Sequence, residues 1–499
     1  MADFDIAIIG GGINGAGIAR DAAGRGLRVL LVEQNDLAGG TSSASTKLIH
    51  GGLRYLEHGA FGLVRKALIE REVLLQIAPH IVRPMRFVLP VDPALRSARV
   101  LQVGLWIYDH LGGRKILPPT SKLDLTQDAA GKALRPDLHV AFEYSDCWVD
   151  DARLVVLNVL DAAERGATIR TRTHISRIER SDVWRFMLDS EGRRAAMTTR
   201  ILINAAGPWI GQVAEHLLRL PGHPPVRLIK GSHIVVKKLF EHDRGYIFQN
   251  SDRRIVFALP FEREFTLVGT TDLEFTGEPS AVSPTADEIG YLCGAVNGYF
   301  RAQITPKQVV GVFAGVRALY DDGSGKPEDV TRDYHLTLDE RSRTAPLLTI
   351  YGGKITTYRR LAEEALDRLK HYLPDTPSWT AHAGLPGGDF AHDGIEAVIS
   401  SVRATWPFLR EASARRLVRT YGTRVNRVLG PARSMNDLGP NFGADLTAAE
   451  VRYLIQHEWA RSANDILWRR TKLGMHMSKG ERDSLTAYMS GHGVRAEAC

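Results

Sequence analysis

Residues 45–59, which read STKLIHGGLRYLEHG, combine side chains that bind anions with side chains that exchange protons. Arg54 can hold a phosphate through two parallel hydrogen bonds, which an ammonium group does less well. His50 carries an imidazole, whose ordinary pKa lies near neutrality. The pair Gly51-Gly52 lets the backbone approach a ligand closely. We interpret this stretch as a segment that holds a ligand.

A nucleotide-binding motif begins at the amino terminus. Residues 5–33, DIAIIGGGINGAGIARDAAGRGLRVLLVE, read as a buried strand, a glycine turn, an alanine-rich helix and a second strand. Gly10, Gly12 and Gly15 have the spacing that lets a backbone turn approach a pyrophosphate at a helix N-terminus. Glu33 stands where an acid accepts ribose hydroxyls and disfavours a 2′-phosphate, so NADP is not expected. The order of these elements predicts a dinucleotide site.

Three further segments favour FAD over NAD. The loop 34–52, QNDLAGGTSSASTKLIHGG, is rich in hydroxyls that can bind an extended ligand, although a polar surface loop would look the same. Residues 200–209, RILINAAGPW, resemble the second dinucleotide contact of flavoproteins. Residues 347–369 read as a strand, a Gly-Gly turn and a helix whose N-terminus would stabilise the negative charge of reduced flavin. The predicted contacts of non-covalently bound FAD are Gly10, Gly12, Asn14, Gly15, Glu33, Thr41, Ser42, Ser45, Lys47, Leu48, Ala206, Gly207 and Gly353.

Composition limits the partners. The net charge of +7 and the pI near 9.2 suit an anionic partner, but no nucleic-acid-binding signature accompanies them, so nucleic acid is not expected. Cys147, Cys293 and Cys499 show no zinc or disulfide spacing, and no metal site is predicted. The amino terminus has no signal-peptide features, and no apolar run approaches the ~18 residues that a spanning helix needs. We therefore expect a chain that does not cross a membrane.

Several motifs taken together resemble the FAD-dependent glycerol-3-phosphate dehydrogenases. They are IIGGGINGAGIARDAAGRG, TSSASTKLIHGGLRYLEHG, FEYSDCWVDDARL, LIKGSHIVV, GVRALYDD and YGGKITTYR, and the resemblance runs over nearly the whole chain. It implies oxidation of sn-glycerol 3-phosphate to dihydroxyacetone phosphate, with electrons passed from reduced FAD to a membrane quinone. It also implies an α/β fold (α+β overall), with a glutathione-reductase-type FAD domain, an inserted antiparallel sheet and a helical cap.

Two departures and several alternatives accompany the resemblance. The calcium-binding extension of animal mitochondrial relatives is missing, since DDGSGKPED at 321–329 lacks the alternating acids and the closing Glu. The extra block of oxygen-using relatives has no obvious counterpart. An oxidase that reduces O2, an amine oxidase on the same fold and a non-catalytic flavoprotein stay open as alternatives.

The resemblance also assigns roles to residues. Arg54, Tyr55 and Arg332 resemble the residues on the phosphate side of the substrate, and Thr356 would add a hydroxyl donor. The residues that resemble those around C2 of the substrate and N5 of the flavin are His50, His233, Arg317 and Lys354. His233 is the first candidate for the general base, with an unperturbed pKa close to the working pH, and His50 is the second. Lys354 and Arg317 would orient and polarise the C2 oxygen.

The chain is predicted to divide into three parts. Residues 1–80, 141–225 and 345–382 form the FAD-binding domain. Residues 81–140 and 226–344 form the substrate-binding domain, in which short strands such as RLIKGSHIVVKK, YIFQN, RIVFALPF and HLTLD build an antiparallel sheet. Residues 386–499 form a helical cap, with helices over 394–405, 412–421 and 447–470. In the motif at 142–154, Asp150 and Asp151 are interpreted as caps of the following helix.

Residues 93–117, PALRSARVLQVGLWIYDHLGGRKIL, read as an amphipathic helix. An interfacial membrane helix and a helix buried against the protein fit the pattern equally, and the resemblance to a quinone-linked enzyme favours the membrane. The predicted lipid-facing side chains are Val100, Leu101, Leu105, Trp106, Ile107, Tyr108 and Leu111, with Arg96, Arg99, Arg114 and Lys115 at the flanks. Trp459, Trp468, Arg469 and Arg470 of the cap are predicted to share the contact.

The expected location is therefore peripheral, on the cytoplasmic face of the inner membrane. The predicted partners are glycerol 3-phosphate, a membrane quinone, an anionic lipid surface and, as an open alternative, a second copy of the chain.

Overall fold

The computed structural model describes residues 2–220, 222, 224–252, 254–321 and 333–491. These residues form eighteen strands, which are β1 (Phe4–Ile9), β2 (Val29–Val32), β3 (Leu48–Ile49), β4 (Val82–Pro90), β5 (Ser121–Asp124), β6 (Val140–Val149), β7 (Thr168–Arg170), β8 (His174–Arg180), β9 (Trp184–Ser190), β10 (Arg193–Asn204), β11 (Val226–Lys237), β12 (Gly245–Gln249), β13 (Ile255–Phe261), β14 (Phe265–Gly269), β15 (Leu273–Glu274), β16 (Val309–Tyr320), β17 (His335–Asp339) and β18 (Leu347–Tyr351). They also form twelve α-helices, which are α1 (Ile13–Gly24), α2 (Phe61–Ile77), α3 (Ala98–Leu111), α4 (Asp151–Glu164), α5 (Ile210–Gln212), α6 (Ala286–Asn297), α7 (Tyr358–Arg368), α8 (Ile395–Thr405), α9 (Glu411–Tyr421), α10 (Val425–Leu429), α11 (Ala448–His457) and α12 (Lys479–Gly491).

The first sheet has a parallel centre that carries the glycine turn. Its order is β17-β18-β10-β1-β2-β7, with β9 paired to β10 and β8 paired to β9. The apolar runs of β1 and β2 are buried on both faces, as expected of parallel strands covered by helices. The core joins side chains of α1, α4 and α7 to this sheet. The carboxyl ends of β1, β10 and β18 therefore meet at one edge, where binding sites of such sheets form.

The second sheet has ten strands and is mostly antiparallel. Its order is β15-β11-β14-β13-β12-β4-β6-β3, with β16 paired to β11 and β5 paired to β6. The long strand β11 pairs with β14 on one side and with β16 on the other. This pairing buries the middle of β11, including His233. Helix α6 packs against the sheet around an aromatic cluster that contains Phe248 and Phe300.

Two strands lie on the other side of the predicted domain boundaries. The prediction assigned residues 141–225 to the FAD-binding domain, but β6 pairs with β4 and β5 in the second sheet. The prediction also placed HLTLD in the antiparallel sheet, but β17 forms a hairpin with β18 in the first sheet. Each of these strands belongs to the same sheet as the strand that it pairs with. The spacing of apolar residues along the chain does not show which strand that partner is. The rest of the predicted division stays a prediction.

The helical cap has a core of its own, formed by α8, α9, α10, α11 and α12. The predicted helix over 447–470 is wrong, because α11 ends at His457 and a separate π-helical turn covers Asp465–Arg470. Trp459 between them has a φ of 56°, in the left-handed region that an α-helix does not use. Arg470 is buried and paired with Asp36, so it is not available to a membrane.

Helix α3 presents apolar side chains on two faces. Leu101, Leu105 and Tyr108 are buried in the core beneath the helix, so their predicted contact with lipid is wrong. Val103 and Trp106 lie on the outer face, where they are 60% and 62% exposed. The apolar surface that α3 offers is therefore the face opposite to the predicted leucine face. Among the described residues, no helix has both the length and the apolar character needed to span a membrane.

Candidate active site

A cavity of about 660 Å³ opens at the edge where β1, β10 and β18 end, and it extends to the second sheet. This volume lies within the usual range of ligand sites in proteins. Seventeen of the predicted site residues line it, namely Gly10, Gly12, Asn14, Glu33, Thr41, Ser42, Ser45, Leu48, His50, Tyr55, Ala206, Gly207, His233, Arg317, Gly353, Lys354 and Thr356. The structure thus brings together segments that are hundreds of residues apart in the chain.

The glycine turn has the geometry of a nucleotide cradle. Gly10 has a φ of 111°, and a Cβ atom there would lie 2.5 Å from the carbonyl oxygen of Ala205. A Cβ atom on Gly15 would lie 2.0 Å from the carbonyl oxygen of Gly10. Gly15 therefore lets the start of α1 pack against the turn, and it does not itself line the cavity. Gly12 caps α1, whose first residues Ile13 and Asn14 line the cavity, and a helix N-terminus at this place suits a pyrophosphate.

Glu33 follows β2 and faces the same cavity. Its carboxylate accepts hydrogen bonds from the backbone N–H groups of Gly11 at 2.6 Å and Asn35 at 2.7 Å. Burial raises the pKa of Glu33, and these two hydrogen bonds oppose the rise. A carboxylate has about four acceptor sites, so Glu33 retains the capacity to accept ribose hydroxyls.

Lys47 does not line the cavity, and its predicted contact with FAD stays a prediction. Its ammonium group donates to the carboxylate of Asp151 at 2.9 and 3.1 Å, and both side chains are buried. Ser45 also donates to Asp151, at 2.8 Å. Asp150 caps α4 as predicted, whereas Asp151 holds the loop 41–48 against the start of α4. Lys47 therefore stabilises the loop 41–48, which we call the cofactor loop, from the side away from the cavity. It does so because the buried carboxylate of Asp151 needs a cation close to it.

The Gly352-Gly353 turn closes the cavity from the side of β18. Gly353 has a φ of 99°, and a Cβ atom on it would lie 3.0 Å from the amide nitrogen of Asn14. Asn14 donates to the carbonyl oxygen of Gly352 at 2.9 Å, but its own Oδ1 is buried without a hydrogen-bond partner in the protein. Because buried polar atoms are nearly always paired, this atom indicates a ligand with a donor group. The residues of the cradle therefore fit FAD.

His50 lies where the loop 41–48 is followed by residues 50–58, which we call the substrate segment. Its backbone N–H donates to the hydroxyl of Thr356 at 3.2 Å, and its ring meets the edge of Phe257 at 6.2 Å between centroids. Burial, together with the charges of Lys354 and Arg71, lowers the pKa of His50 to about 3. The imidazole is therefore neutral at physiological pH.

His233 sits on β11, and its ring stacks on Phe313 at 4.8 Å between centroids. Its Nε2 is 2.9 Å from the hydroxyl of Thr46, while Nδ1 is buried without a protein partner. Burial and the nearby Lys47 and Arg317 lower the pKa of His233 to about 3. The pKa of His233 therefore lies far below the unperturbed value on which its predicted role was based, because a sequence does not show how deeply a strand histidine is buried.

Cations and an aromatic ring complete the substrate side. Arg317 on β16 forms an ion pair with Asp272 at 3.0 Å. The ammonium group of Lys354 lies 3.6 Å from the centroid of the Tyr55 ring, in a cation–π contact. Arg54 belongs to the same 3₁₀ helix, Leu53–His58, but does not line the cavity. Arg332 lies outside the described residues.

Among the cavity residues that the sequence analysis did not predict are Thr46, Trp209 and Thr270. Thr46 and Trp209 lie within motifs quoted above, close to residues that were predicted to contact FAD. Their position in these motifs is the sequence feature that could have identified them. Trp209 donates through its indole N–H to Glu278 at 3.0 Å, which fixes the ring at the cavity wall. Among the described residues, no three His, Cys, Asp or Glu side chains come together as a metal site.

The fold and the cradle define the class of protein. The model of the FAD dependent oxidoreductase family matches residues 5–359, and the chain belongs to this family. Residues 378–490 match the C-terminal domain of alpha-glycerophosphate oxidase. The predicted FAD-binding α/β fold with a helical cap is thereby confirmed, as is FAD as the cofactor of an oxidoreductase.

Particular relatives lie within this class. The chain is 50% identical to a glycerol-3-phosphate dehydrogenase of Pseudomonas aeruginosa, over 97% of this chain and 95% of that protein. It is 49% identical to the D-erythritol 1-phosphate dehydrogenase of Brucella abortus, over 96% of each chain. It is 47% identical to the aerobic glycerol-3-phosphate dehydrogenase of Escherichia coli K12, over 98% of each chain.

A solved structure agrees with the fold. The glycerol-3-phosphate dehydrogenase of Bacillus halodurans, complexed with FAD, superposes with a TM-score of 0.77 at 24% identity. The match covers 100% of this chain and 97% of that chain. At this level of identity the likeness shows the shared architecture.

Proposed function

We propose that the protein oxidises sn-glycerol 3-phosphate to dihydroxyacetone phosphate and that a membrane quinone is the final electron acceptor. The observation that carries the proposal is the single cavity in which the FAD cradle meets His50, His233, Arg317 and Lys354. The names of relatives at 50% and 47% identity support the same reaction. When bound, FAD would supply the two-electron redox chemistry that the oxidation requires.

The chain's own residues bind and orient the substrate. We assign the phosphate to Arg54, Arg332, Tyr55 and Thr356, because a dianion needs charge-assisted donors. Tyr55 and Thr356 line the cavity, and Arg54 adjoins Tyr55 in the same short helix. Arg317 and Lys354 would stabilise negative charge as it develops on the C2 oxygen.

The base must accept the hydroxyl proton of the substrate. His233 suits this role because its lowered pKa keeps a free lone pair on the ring at neutral pH. Polarised by Arg317 and Lys354, the C2 oxygen would lose its proton more readily, which assists the transfer to the ring. His50 is the second candidate, with the same lowered pKa.

A second substrate also has support. One relative, at 49% identity, is named D-erythritol 1-phosphate dehydrogenase, and its identity is close to the 50% of the first relative. Both compounds join a phosphate to a short polyol, and the assigned phosphate donors serve either. The two substrates differ in the length of their carbon chains, so an experiment has to show which length the site prefers.

Anaerobic flavin reduction tests the proposal directly. The purified holoprotein is mixed with glycerol 3-phosphate or with D-erythritol 1-phosphate, and the flavin absorbance is followed. We expect glycerol 3-phosphate to bleach the flavin with the larger kcat/KM. Faster bleaching by D-erythritol 1-phosphate would transfer the assignment to that substrate, and no bleaching by either would refute both. Stoichiometric peroxide in air, in place of quinone reduction, would instead identify an oxidase.

The quinone requires access to a membrane, and we assign the contact to the outer face of α3. Val100, Val103 and Trp106 are exposed there, within a segment that carries Arg96 and Arg99 at its start. Apolar side chains with flanking cations are typical of helices that lie in the interface of an anionic bilayer. The proposed location is the cytoplasmic face of the inner membrane, without a spanning helix. A second copy of the chain stays an open partner.

A further inference from the structure

The inner face of α3 contacts the backbone of the substrate segment. The backbone N–H of Gly51 donates a hydrogen bond of 2.7 Å to the hydroxyl of Tyr108. Tyr108 is 1% exposed and lies on α3, on the opposite side of the helix from Trp106. We propose that Tyr108 is a positioning residue, whose hydroxyl fixes Gly51 and thereby holds His50 and Tyr55 in place for the substrate. This inference rests on the proposed function.

The direction of each hydrogen bond follows from the chemistry of the groups. A backbone N–H can only donate, so the Tyr108 oxygen accepts from Gly51 and its proton points elsewhere. Asp146 receives that proton, since both of its oxygens lie 2.9 Å from the hydroxyl. Arg71 donates to the same carboxylate at 2.7 Å. Burial, with Asp146 nearby, raises the pKa of Tyr108 well above its ordinary value, which keeps the hydroxyl protonated.

The anchored position is close to the reacting groups. Gly51 follows His50, whose own N–H is bonded to Thr356 in the cavity wall. The same segment continues to Tyr55, which contacts the ammonium group of Lys354. A Cβ atom on Gly51 would lie 2.6 Å from Leu68 and 2.7 Å from the Tyr108 oxygen, so the backbone is packed tightly here. A shift at this point would displace both His50 and Tyr55.

A second contact ties the other end of the segment to the same element. Arg96, just before α3, donates to the carboxylate of Glu57 through both terminal nitrogens, one of them at 2.7 Å. The substrate segment 50–58 is thus attached near both of its ends, by Tyr108 and by Arg96. The carboxylate of Asp146 joins the first attachment to the core, because Arg71 lies on α2 and Asp146 on β6. Tyr108 is therefore the attachment that lies next to His50, and Arg96 is the one at the far end of the segment.

The test compares two buried tyrosines. Tyr108→Phe keeps the ring and removes the hydroxyl, and Tyr246→Phe is the matched control. Tyr246 is also buried, and its hydroxyl donates to the carbonyl oxygen of Ala130 at 2.6 Å, away from the cavity. Anaerobic flavin reduction is measured against glycerol 3-phosphate concentration for wild type and both variants, together with FAD content. We expect Tyr108→Phe to raise KM about tenfold with FAD content unchanged, because misplaced binding groups lose affinity.

The control separates positioning from stability. Both variants lose the hydrogen bonds of one buried hydroxyl, so both should unfold at a lower temperature, but Tyr246→Phe should keep KM within about twofold of wild type. Equal KM values for the two variants would overturn the proposal. If Tyr108→Phe gives no holoprotein, Glu57→Gln decides, since Glu57 is exposed. A several-fold higher KM would then support the attachment, and an unchanged KM would refute it.

The same experiment distinguishes a failure of the proposed function. If glycerol 3-phosphate fails to bleach the wild-type flavin and D-erythritol 1-phosphate succeeds, the comparison is made with the second substrate. If neither bleaches it, the proposed function and this inference fall together. If the wild type is reduced and Tyr108→Phe matches Tyr246→Phe, only the role of Tyr108 is lost.

Discussion

At the scale of single residues, phosphate recognition depends on guanidinium groups. Arg54→Ala should raise KM for glycerol 3-phosphate about ten- to a hundredfold, because a charge-assisted hydrogen bond contributes about 1.5–3 kcal/mol. FAD should remain bound, since Arg54 lies outside the glycine turn that holds the pyrophosphate. Steady-state kinetics with glycerol 3-phosphate and with unsubstituted glycerol measure the effect. Glycerol has no phosphate, so its KM should change far less.

Two matched variants sharpen this prediction. Arg54→Lys keeps the charge and loses the bidentate geometry, so its KM should lie between those of wild type and Arg54→Ala. Arg65→Ala removes an exposed cation from the adjacent helix α2 and should leave KM near the wild-type value. Equal losses with glycerol and glycerol 3-phosphate would exclude a phosphate contact. Arg332 should behave as Arg54 does.

The candidate base gives a prediction about pH. Burial, Lys47 and Arg317 lower the pKa of His233 to about 3, so the imidazole stays deprotonated as the pH falls from 8 to 6. We expect kcat at pH 6 to stay within about twofold of kcat at pH 8, whereas an ordinary histidine would lose most of its activity. His233→Ala should lower kcat by about 10²–10⁴-fold at every pH in this range. The measurement is the pH profile of flavin reduction at saturating substrate.

His50→Ala is the comparison variant for this experiment. If His50→Ala shows the larger loss of kcat and His233→Ala the smaller, the two histidines exchange roles. A midpoint near pH 6.5 in wild type that disappears in His233→Ala would show that His233 titrates as an exposed histidine does. That result would contradict the effect of burial in the enzyme–substrate complex.

At the scale of secondary-structure elements, α3 carries the proposed membrane contact. Val103→Ser with Trp106→Ser should release the protein from anionic vesicles, because each large apolar side chain contributes about 2 kcal/mol when buried in an apolar phase. The pair is 60% and 62% exposed, so the substitutions spare the core. Cosedimentation with vesicles measures binding. Quinone reduction should slow while reduction of a soluble dye is unaffected.

A polar position on the same helix supplies the control. Gln102→Ser changes an exposed residue of α3 without removing apolar surface and should leave vesicle binding intact. Leu105 is unsuitable for this test because it is fully buried, and its substitution would disturb the core. If the double variant binds vesicles as well as wild type, α3 is not the anchor. Higher salt should weaken binding of the wild type through screening.

At the scale of the whole molecule, buried charges join the cap to the loop 34–52, which contains Asp36. Arg470 is buried, and it donates to both oxygens of Asp36 at 2.7 and 2.8 Å and to the carbonyl oxygen of Glu458. Arg470→Ala removes a positive charge that compensates the buried carboxylate of Asp36. Loss of such a partner lowers the free energy of unfolding by about 3–5 kcal/mol. We expect a lower thermal midpoint and weaker FAD retention, since Asp36 lies three residues after Glu33.

Arg415→Ala is the control, because the Arg415–Glu396 pair is exposed and such pairs contribute about 1 kcal/mol or less. Equal shifts for the two variants would show that the buried contact does not hold the cap.

Much of the cofactor site follows from short-range patterns. The turn at Gly10, Gly12 and Gly15 and the acid at Glu33 belong to one strand-turn-helix-strand unit, whose geometry depends on neighbours in the chain. The motifs around His50, Ala206 and Gly353 were also recognisable, and all three residues line the same cavity. Gly15 shows the limit of this approach, because a motif does not state which of its residues line the cavity.

Contacts between distant segments decided the rest. Lys47 is directed away from the cavity by Asp151, a residue 104 positions further along the chain. The pKa of His233 depends on its burial between β14 and β16 and on two cations from other elements. The pattern of α3 is apolar on both faces, so only packing against the core could separate the buried Leu105 from the exposed Trp106. Spacing along a chain records which residues can share a face, whereas burial and charge pairing depend on what the fold places against that face.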